Sequence, residues 1–193
     1  MHLKALLWTV TGLGLPAAAG GKNEVAIFGG GCFWCMEPPF AELDGVIEVV
    51  VGYSGGDEKY PTYEQVSSGL TSHYETVRVT YDPGKISYRQ LLETFWRQID
   101  PTDAGGQFAD RGRHYRTAIF YVSPEQKETA EQSLRELDAS GIFDRPVTTR
   151  ILPAGPFYPA EEYHQNYHRK NPLHYNRYKT ASGRAGFIAK VWK

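Results

Sequence analysis

Short apolar runs alternate with amphipathic stretches along most of the chain. Val25-Ala26-Ile27-Phe28, closed by glycines, reads as a buried strand. Val46 to Tyr53 reads as a second strand, stopped by Ser54-Gly55-Gly56, and Glu75 to Tyr81 as a third, ended by the turn residues Asp82-Pro83-Gly84. Tyr115 to Val122 and Val147 to Leu152 supply a fourth and a fifth. Between them, Ser87 to Ile99 repeats at helical spacing, with Leu91, Leu92, Phe95, Trp96 and Ile99 on one side and Ser87 as cap. Ser123-Pro124-Glu125-Gln126 opens another helix to about Ser140, with a capping-box pattern and proline at its first position. The helical stretch from Phe33 to Leu43 contains Pro38 and Pro39, so it starts either at Cys32 with a kink or near Pro38. Thr62 to Ser68 is a short helix at best, and Ala160 to Arg169 reads as a helix rich in Tyr and His. Asp100 to Arg113 is a long, polar, glycine-rich loop of the kind that carries function.

Strands and helices alternate, but the connections are uneven and some are hairpin-like. This predicts an α+β fold with a mixed or antiparallel sheet and helices mainly on one face. No repeat or linker divides the chain, so residues 21–182 form one domain, followed by a basic, irregular, cysteine-free tail over 183–193. At 193 residues it is long enough to bury a core. The formal net charge of -1 argues against nucleic acid as a partner, and monomer is the expected state.

The first twenty residues differ in character. Lys4 precedes an apolar run from Ala5 to Leu15, then Pro16 and Ala17-Ala18-Ala19-Gly20. This pattern predicts a secretory leader cleaved after Ala19, and hence an exported protein; the alternative is an extension lying on a cytoplasmic domain. The run is short for a membrane span and no other segment qualifies, so the mature domain is not expected in a membrane.

The chemistry is concentrated in Gly29-Gly30-Gly31-Cys32-Phe33-Trp34-Cys35, which holds the only two cysteines in the sequence. Thiols at this spacing can close and reopen a disulfide. Cys32 at a helix N-terminus would be favoured as thiolate by the free N–H groups and the helix dipole, and Cys35, one turn on, can attack it once oxidised. A Cys₂His₂ zinc site with His164 and His168, four apart on the expected helix, is a weaker reading, because Phe-Trp between the thiols is unlike a zinc-knuckle turn. No metal or organic cofactor is expected.

Strand alternation puts Glu75 in phase with Val77, Val79 and Tyr81, on the apolar side. It is then either a desolvated acid, protonated at neutral pH, or a carboxylate at the strand mouth in solvent or paired with arginine. Tyr53 and Tyr115 sit at strand ends, where phenols can reach a shared pocket or simply rim the core.

Five stretches in order resemble the A-type peptide methionine sulfoxide reductases. They are Gly30 to Trp34; Gly52-Tyr53-Ser54-Gly55-Gly56; His73 to Val77 followed by Tyr81-Asp82-Pro83; Asp110 to Tyr115; and Phe157 to Gln165. The resemblance implies a ferredoxin-like α/β plait and reduction of the S epimer of methionine sulfoxide, in proteins or free. It implies Cys32 as nucleophile, Glu75 as proton donor, Phe33 and Trp34 as the pocket for the S-methyl group, Tyr53 and Tyr115 as phenols holding the sulfoxide oxygen, and Asp110 as a supporting polar residue. Many members carry resolving cysteines near the C-terminus; here Cys35 is the only internal candidate, as in a Cys-Phe-Trp-Cys subgroup. The expected cycle passes through a Cys32 sulfenic acid and a Cys32–Cys35 disulfide, restored by a thioredoxin-like dithiol. The rival readings are a general thiol–disulfide oxidoreductase, which needs neither acid nor methyl pocket, and a zinc-stabilised binding domain.

Overall fold

The computed structural model describes residues 22–192. The proposed leader lies outside the described residues.

The chain opens with β1 (Glu24–Gly30), α1 (Phe33–Ala41), β2 (Val46–Ser54), α2 (Tyr63–Ser67), β3 (Tyr74–Tyr81) and α3 (Tyr88–Trp96). The 100–113 loop folds a small hairpin, β4 (Gly106–Gln107) with β5 (Asp110–Arg111), and β6 (Thr117–Tyr121), α4 (Pro124–Ala139), β7 (Arg150–Pro153) and β8 (Tyr158–Pro159) follow. Three helices end the chain: α5 (Tyr167–Lys170), α6 (Pro172–Ala181) and α7 (Arg184–Val191). The main sheet runs β7-β6-β1-β3-β2-β8. It is mixed: β6 and β7 are parallel and the other pairs antiparallel. This is the α+β fold expected from the uneven connections.

Helices α1, α3 and α4 cover one face. Phe28 of β1 anchors that core, stacked on Phe40 at 5.2 Å and on Phe95 at 5.1 Å. Leu91, Leu92, Phe95 and Trp96 are buried, as their helical spacing required. On the other face Ile27, Tyr74, Ala118 and Phe120 form a smaller cluster under Leu152 and Phe157. The caps behave as read: Ser87 and Gln90 form a full capping box, and Ser123 accepts the Gln126 N–H with Pro124 in the first turn. The Gln126 side chain, however, reaches the N–H of Val122 rather than that of the cap residue.

One open expectation is settled and four change. Helix α1 starts at Phe33 and runs through both prolines. The strand expected from Tyr115 starts at Thr117, because the N–H groups of Tyr115 and Arg116 turn back to Gly112 and Arg113 in a 3-10 turn. The strand expected from Val147 starts at Arg150, since Val147 donates to Asp138 and Thr148 to Pro101. The Tyr- and His-rich stretch is not one helix. A 3-10 turn over Glu162–His164 is cut from α5 by Asn166 in the left-handed region, with φ 54°. The tail, expected to be irregular, is helical over Arg184–Val191 and buries Arg184.

Candidate active site

The site forms where β1 hands over to α1. Gly31 turns the chain with φ +81°, and a Cβ there would lie 2.6 Å from the Gln107 side chain. Cys32 becomes the N-cap residue, and Cys35 lies one turn on with its N–H donating to the Cys32 carbonyl at 3.0 Å. Both are free thiols; Cys32 is 6% exposed and Cys35 1%.

Glu75 approaches from β3. Its burial follows from strand phase, because Val77, Val79 and Tyr81 on the same side are also buried. Its Oε2 accepts the N–H of Phe33 at 3.0 Å, which ties the carboxyl to the first turn of the helix that carries the thiols. Burial outweighs that hydrogen bond, and the charges of Asp110 and Cys35 add to it, so its pKa is pushed up to about 8. Glu75 is therefore a neutral acid at pH 7, and of its two sequence readings the desolvated one holds.

Cys32 departs from the expectation of a ready thiolate. Burial, the neighbouring Cys35 and the Glu75 charge push its thiol up, against a smaller pull down from the Tyr178 hydroxyl. The helix terminus favours an anion, but its first N–H is already given to Glu75. Cys35 moves the other way, because the Cys32 thiol donates to it. Of the two thiols, Cys35 is therefore the more readily ionised.

Cys32, Phe33, Trp34, Tyr63, Glu75, Asp110, Tyr115 and Tyr178 line a cleft of about 130 Å³. A larger groove of about 510 Å³ beside Val46–Val50 carries no nucleophile.

The structure sorts the expected phenols. Tyr115 lines the cleft, delivered by the 3-10 turn, and burial raises its pKa. Tyr53 does not line it. Tyr53 pairs with Glu75 across β2 and β3, and its ring backs Phe33 at 6.1 Å, but its hydroxyl donates to Glu161 Oε2 at 2.8 Å. Tyr63 stands in the cleft instead, with its pKa pushed up to about 12 by burial and by Glu75. It starts helix α2, and its backbone N–H donates to Glu161 Oε1 at 2.9 Å. Tyr178 is the second residue that sequence reading missed. Its hydroxyl meets Asp110 and the Cys32 sulfur. Neither residue shows in the periodicity; the short helix read over Thr62 to Ser68 located α2 but not the direction of its first side chain. Asp110 reaches the cleft through the β4–β5 hairpin of the loop read as functional.

Trp34 forms one wall. It stacks on Tyr167 at 3.8 Å, and its indole N–H donates to His164 Nδ1 at 3.1 Å. An indole nitrogen only donates, so His164 holds its proton on Nε2. Burial pulls the His164 pKa down. His168 pairs with Glu37 at 3.3 Å, so the two histidines serve different neighbours. Among the described residues no group of three or more His, Cys, Asp or Glu side chains could hold a metal ion.

A buried thiol beside a protonated carboxyl and several phenols, in a cleft with aromatic walls, defines a thiol-based oxidoreductase with a built-in acid. The family model of peptide methionine sulfoxide reductase matches residues 24–193. The peptide methionine sulfoxide reductase MsrA of Bacillus subtilis is 58% identical over 171 residues, covering 89% of this chain and 97% of that protein. That of Listeria monocytogenes is 54% identical over 170 residues, covering 88% and 96%. Among solved structures, methionine sulfoxide reductase A of Corynebacterium diphtheriae aligns with TM-score 0.70 at 37% identity, covering 83% of this chain and 78% of that one. Reduced Mxr1 of Saccharomyces cerevisiae aligns with TM-score 0.74 at 32% identity, covering 79% and 87%. The chain belongs to the peptide methionine sulfoxide reductase family.

Proposed function

We propose that the chain reduces the S epimer of methionine sulfoxide, in oxidised proteins or free, to methionine, with a thioredoxin-like dithiol as final reductant. The observation that carries this is the pairing of Cys32 with a carboxyl held protonated at neutral pH in a cleft walled by Phe33, Trp34, Tyr63 and Tyr115.

A sulfoxide oxygen is a poor leaving group until it is protonated. Glu75 donates to it while the Cys32 sulfur attacks the substrate sulfur and the Cys32 proton passes back to the carboxylate. The S–O bond to substrate breaks, the hydroxyl passes to the Cys32 sulfur as the transient bond between the two sulfurs breaks, and the products are methionine and a Cys32 sulfenic acid. Tyr63 and Tyr115 hold the oxygen, Phe33 and Trp34 take the methyl group, and Tyr178 with Asp110 orients the Cys32 sulfur. Thiolate Cys35 then attacks the Cys32 sulfur. The hydroxyl leaves as water with the Glu75 proton, and a Cys32–Cys35 disulfide remains. The dithiol reductant is oxidised to its own disulfide and returns both thiols.

A general protein-disulfide reductase would need an exposed thiol and no acid, whereas both cysteines here are buried beside one. The leader-like first twenty residues support an exported enzyme, which a cleaved N-terminus in the secreted fraction would bear out and an intact cytoplasmic chain would refute. The deciding test of the activity is stereochemical. Reduced protein mixed with a racemic methyl sulfoxide should consume one epimer only and yield one sulfide per chain before added dithiol. Insulin disulfide reduction without sulfoxide reduction would overturn the reading.

A further inference from the structure

Helix α7 sends Arg184 into the interior, where it is 1% exposed. One guanidinium nitrogen donates to the Gly30 carbonyl at 2.8 Å, and another meets the Gln98 carbonyl and the Met36 sulfur. The group covers the Phe108 ring at 4.8 Å, and a Cβ on Gly31 would stand 2.8 Å from it. It therefore sits against the residues on both sides of the Cys-X-X-Cys segment. Among the described residues no carboxylate pairs with it at ion-pair distance. A buried cation with only neutral partners is strongly unfavourable unless an anion forms beside it, and Cys35, the residue before its Met36 contact, is the thiol that its charge favours as an anion.

We propose that Arg184 is a positioning residue for the second half of the cycle: its charge holds Cys35 as the thiolate that resolves oxidised Cys32. This rests on the reading of Cys35 as the resolving thiol. The other groups facing Cys35 divide. Asp110 and Glu75 oppose its ionisation, and Lys179 from α6 assists Arg184. The Cys32 thiol donates to it and is the largest of these influences, and oxidation removes that S–H. Tyr175, its buried hydroxyl without a partner, senses both Cys35 and Arg184. Once Cys32 is a sulfenic acid, Arg184 is the buried charge that remains to keep Cys35 ionised.

The test compares Arg184→Gln, which keeps donors and removes charge, with Arg184→Lys, which keeps charge. Each reduced protein receives one equivalent of methionine sulfoxide, and methionine release and loss of free thiols are followed against pH. Both variants should release one methionine per chain. In Arg184→Gln disulfide closure should shift to higher pH. Below that range it should slow about threefold for each unit the Cys35 pKa rises, because a tenfold loss of thiolate is partly offset by greater nucleophilicity. Arg184→Lys should keep the native profile. A native profile in Arg184→Gln, or equal displacement in both variants, overturns the proposal. A second reading needs no change at Arg184: the ultraviolet thiolate absorbance of Cys32→Ser should titrate below the ordinary thiol value of about 8.5, and a value at or above it also overturns the proposal. Failure of the underlying reading looks different, since Cys35→Ser would then turn over with thioredoxin at the native rate.

Discussion

Glu75 and Phe33, 42 positions apart, are joined by one hydrogen bond: Oε2 of the carboxyl accepts the Phe33 N–H at 3.0 Å. The bond leaves Oε1 free to carry the acid proton and fixes it against the residue after Cys32. Glu75→Gln keeps the acceptor and removes the proton. It should slow sulfenic acid formation by about 10²–10⁴-fold, the usual contribution of general acid–base catalysis, as read by methionine release in a single turnover. In the native chain kcat/KM should hold through neutral pH and fall as pH rises through about 8, where Glu75 ionises.

The same substitution should stabilise the fold. The folded pKa of Glu75 lies above its ordinary 4.5, at about 8, so the folded state holds a proton that the unfolded state releases across that window. Stability from this group is full below pH 4.5 and is lost as pH rises to about 8. Denaturant melts should show Glu75→Gln more stable than the native chain at pH 8, by a few kcal/mol at about 1.4 kcal/mol per pKa unit, with the gap closing toward pH 4.5.

The tyrosines should separate by what their hydroxyls touch. Tyr63→Phe and Tyr115→Phe each remove a donor from the cleft and should lower kcat by roughly tenfold or more, the worth of one hydrogen bond to a charge-developing atom. Tyr53→Phe removes only the bond to Glu161. It should cost about 1.5–3 kcal/mol of stability, as for a hydrogen bond to a charged group, and leave kcat nearly native. Kinetics and melts of the three variants check this, and a kcat loss confined to Tyr53→Phe would reverse the assignment.

Removing the second thiol should split the cycle. Cys35→Ser is expected to release one methionine per chain at the native rate and then stop with thioredoxin as reductant, accumulating a sulfenic acid that a dimedone-type trap captures by mass. Unchanged thioredoxin turnover would show that Cys35 does not resolve Cys32.

His164 should set an acid limb. Protonating Nδ1 would break its bond from Trp34, and burial keeps that event below the ordinary histidine range. KM should therefore rise as pH falls below that range, together with a change in Trp34 fluorescence. His164→Leu should show the raised KM at neutral pH and lose the acid limb.

Much of this was legible in the chain. Strand phase alone placed Glu75 among Val77, Val79 and Tyr81, because alternation along a strand is fixed by backbone geometry. The cysteine pair and its glycines announced the nucleophile, and Ser87 and Ser123 announced their helices. Tyr53 shows the limit. Its register toward the apolar face was readable, but a phenol reaches several ångströms beyond its strand, and a carboxylate from residue 161 decides where it ends. Tyr63 and Tyr178 were invisible for the same reason, since each enters the cleft from an element whose docking no local rule sets. The Tyr- and His-rich stretch read as one helix because periodicity cannot see Asn166 adopting a left-handed backbone that splits it.

The sequence by itself determined the alternation of elements, the α+β class, the thiol pair and the apolar-side phase of Glu75, all of which depend on neighbours within a few positions. Tertiary structure alone decided the ionisation states. Glu75 is pushed toward its neutral acid, the Cys32 thiol up and the Cys35 thiol down, because desolvation and the sum of nearby charges depend on what the fold packs around each group.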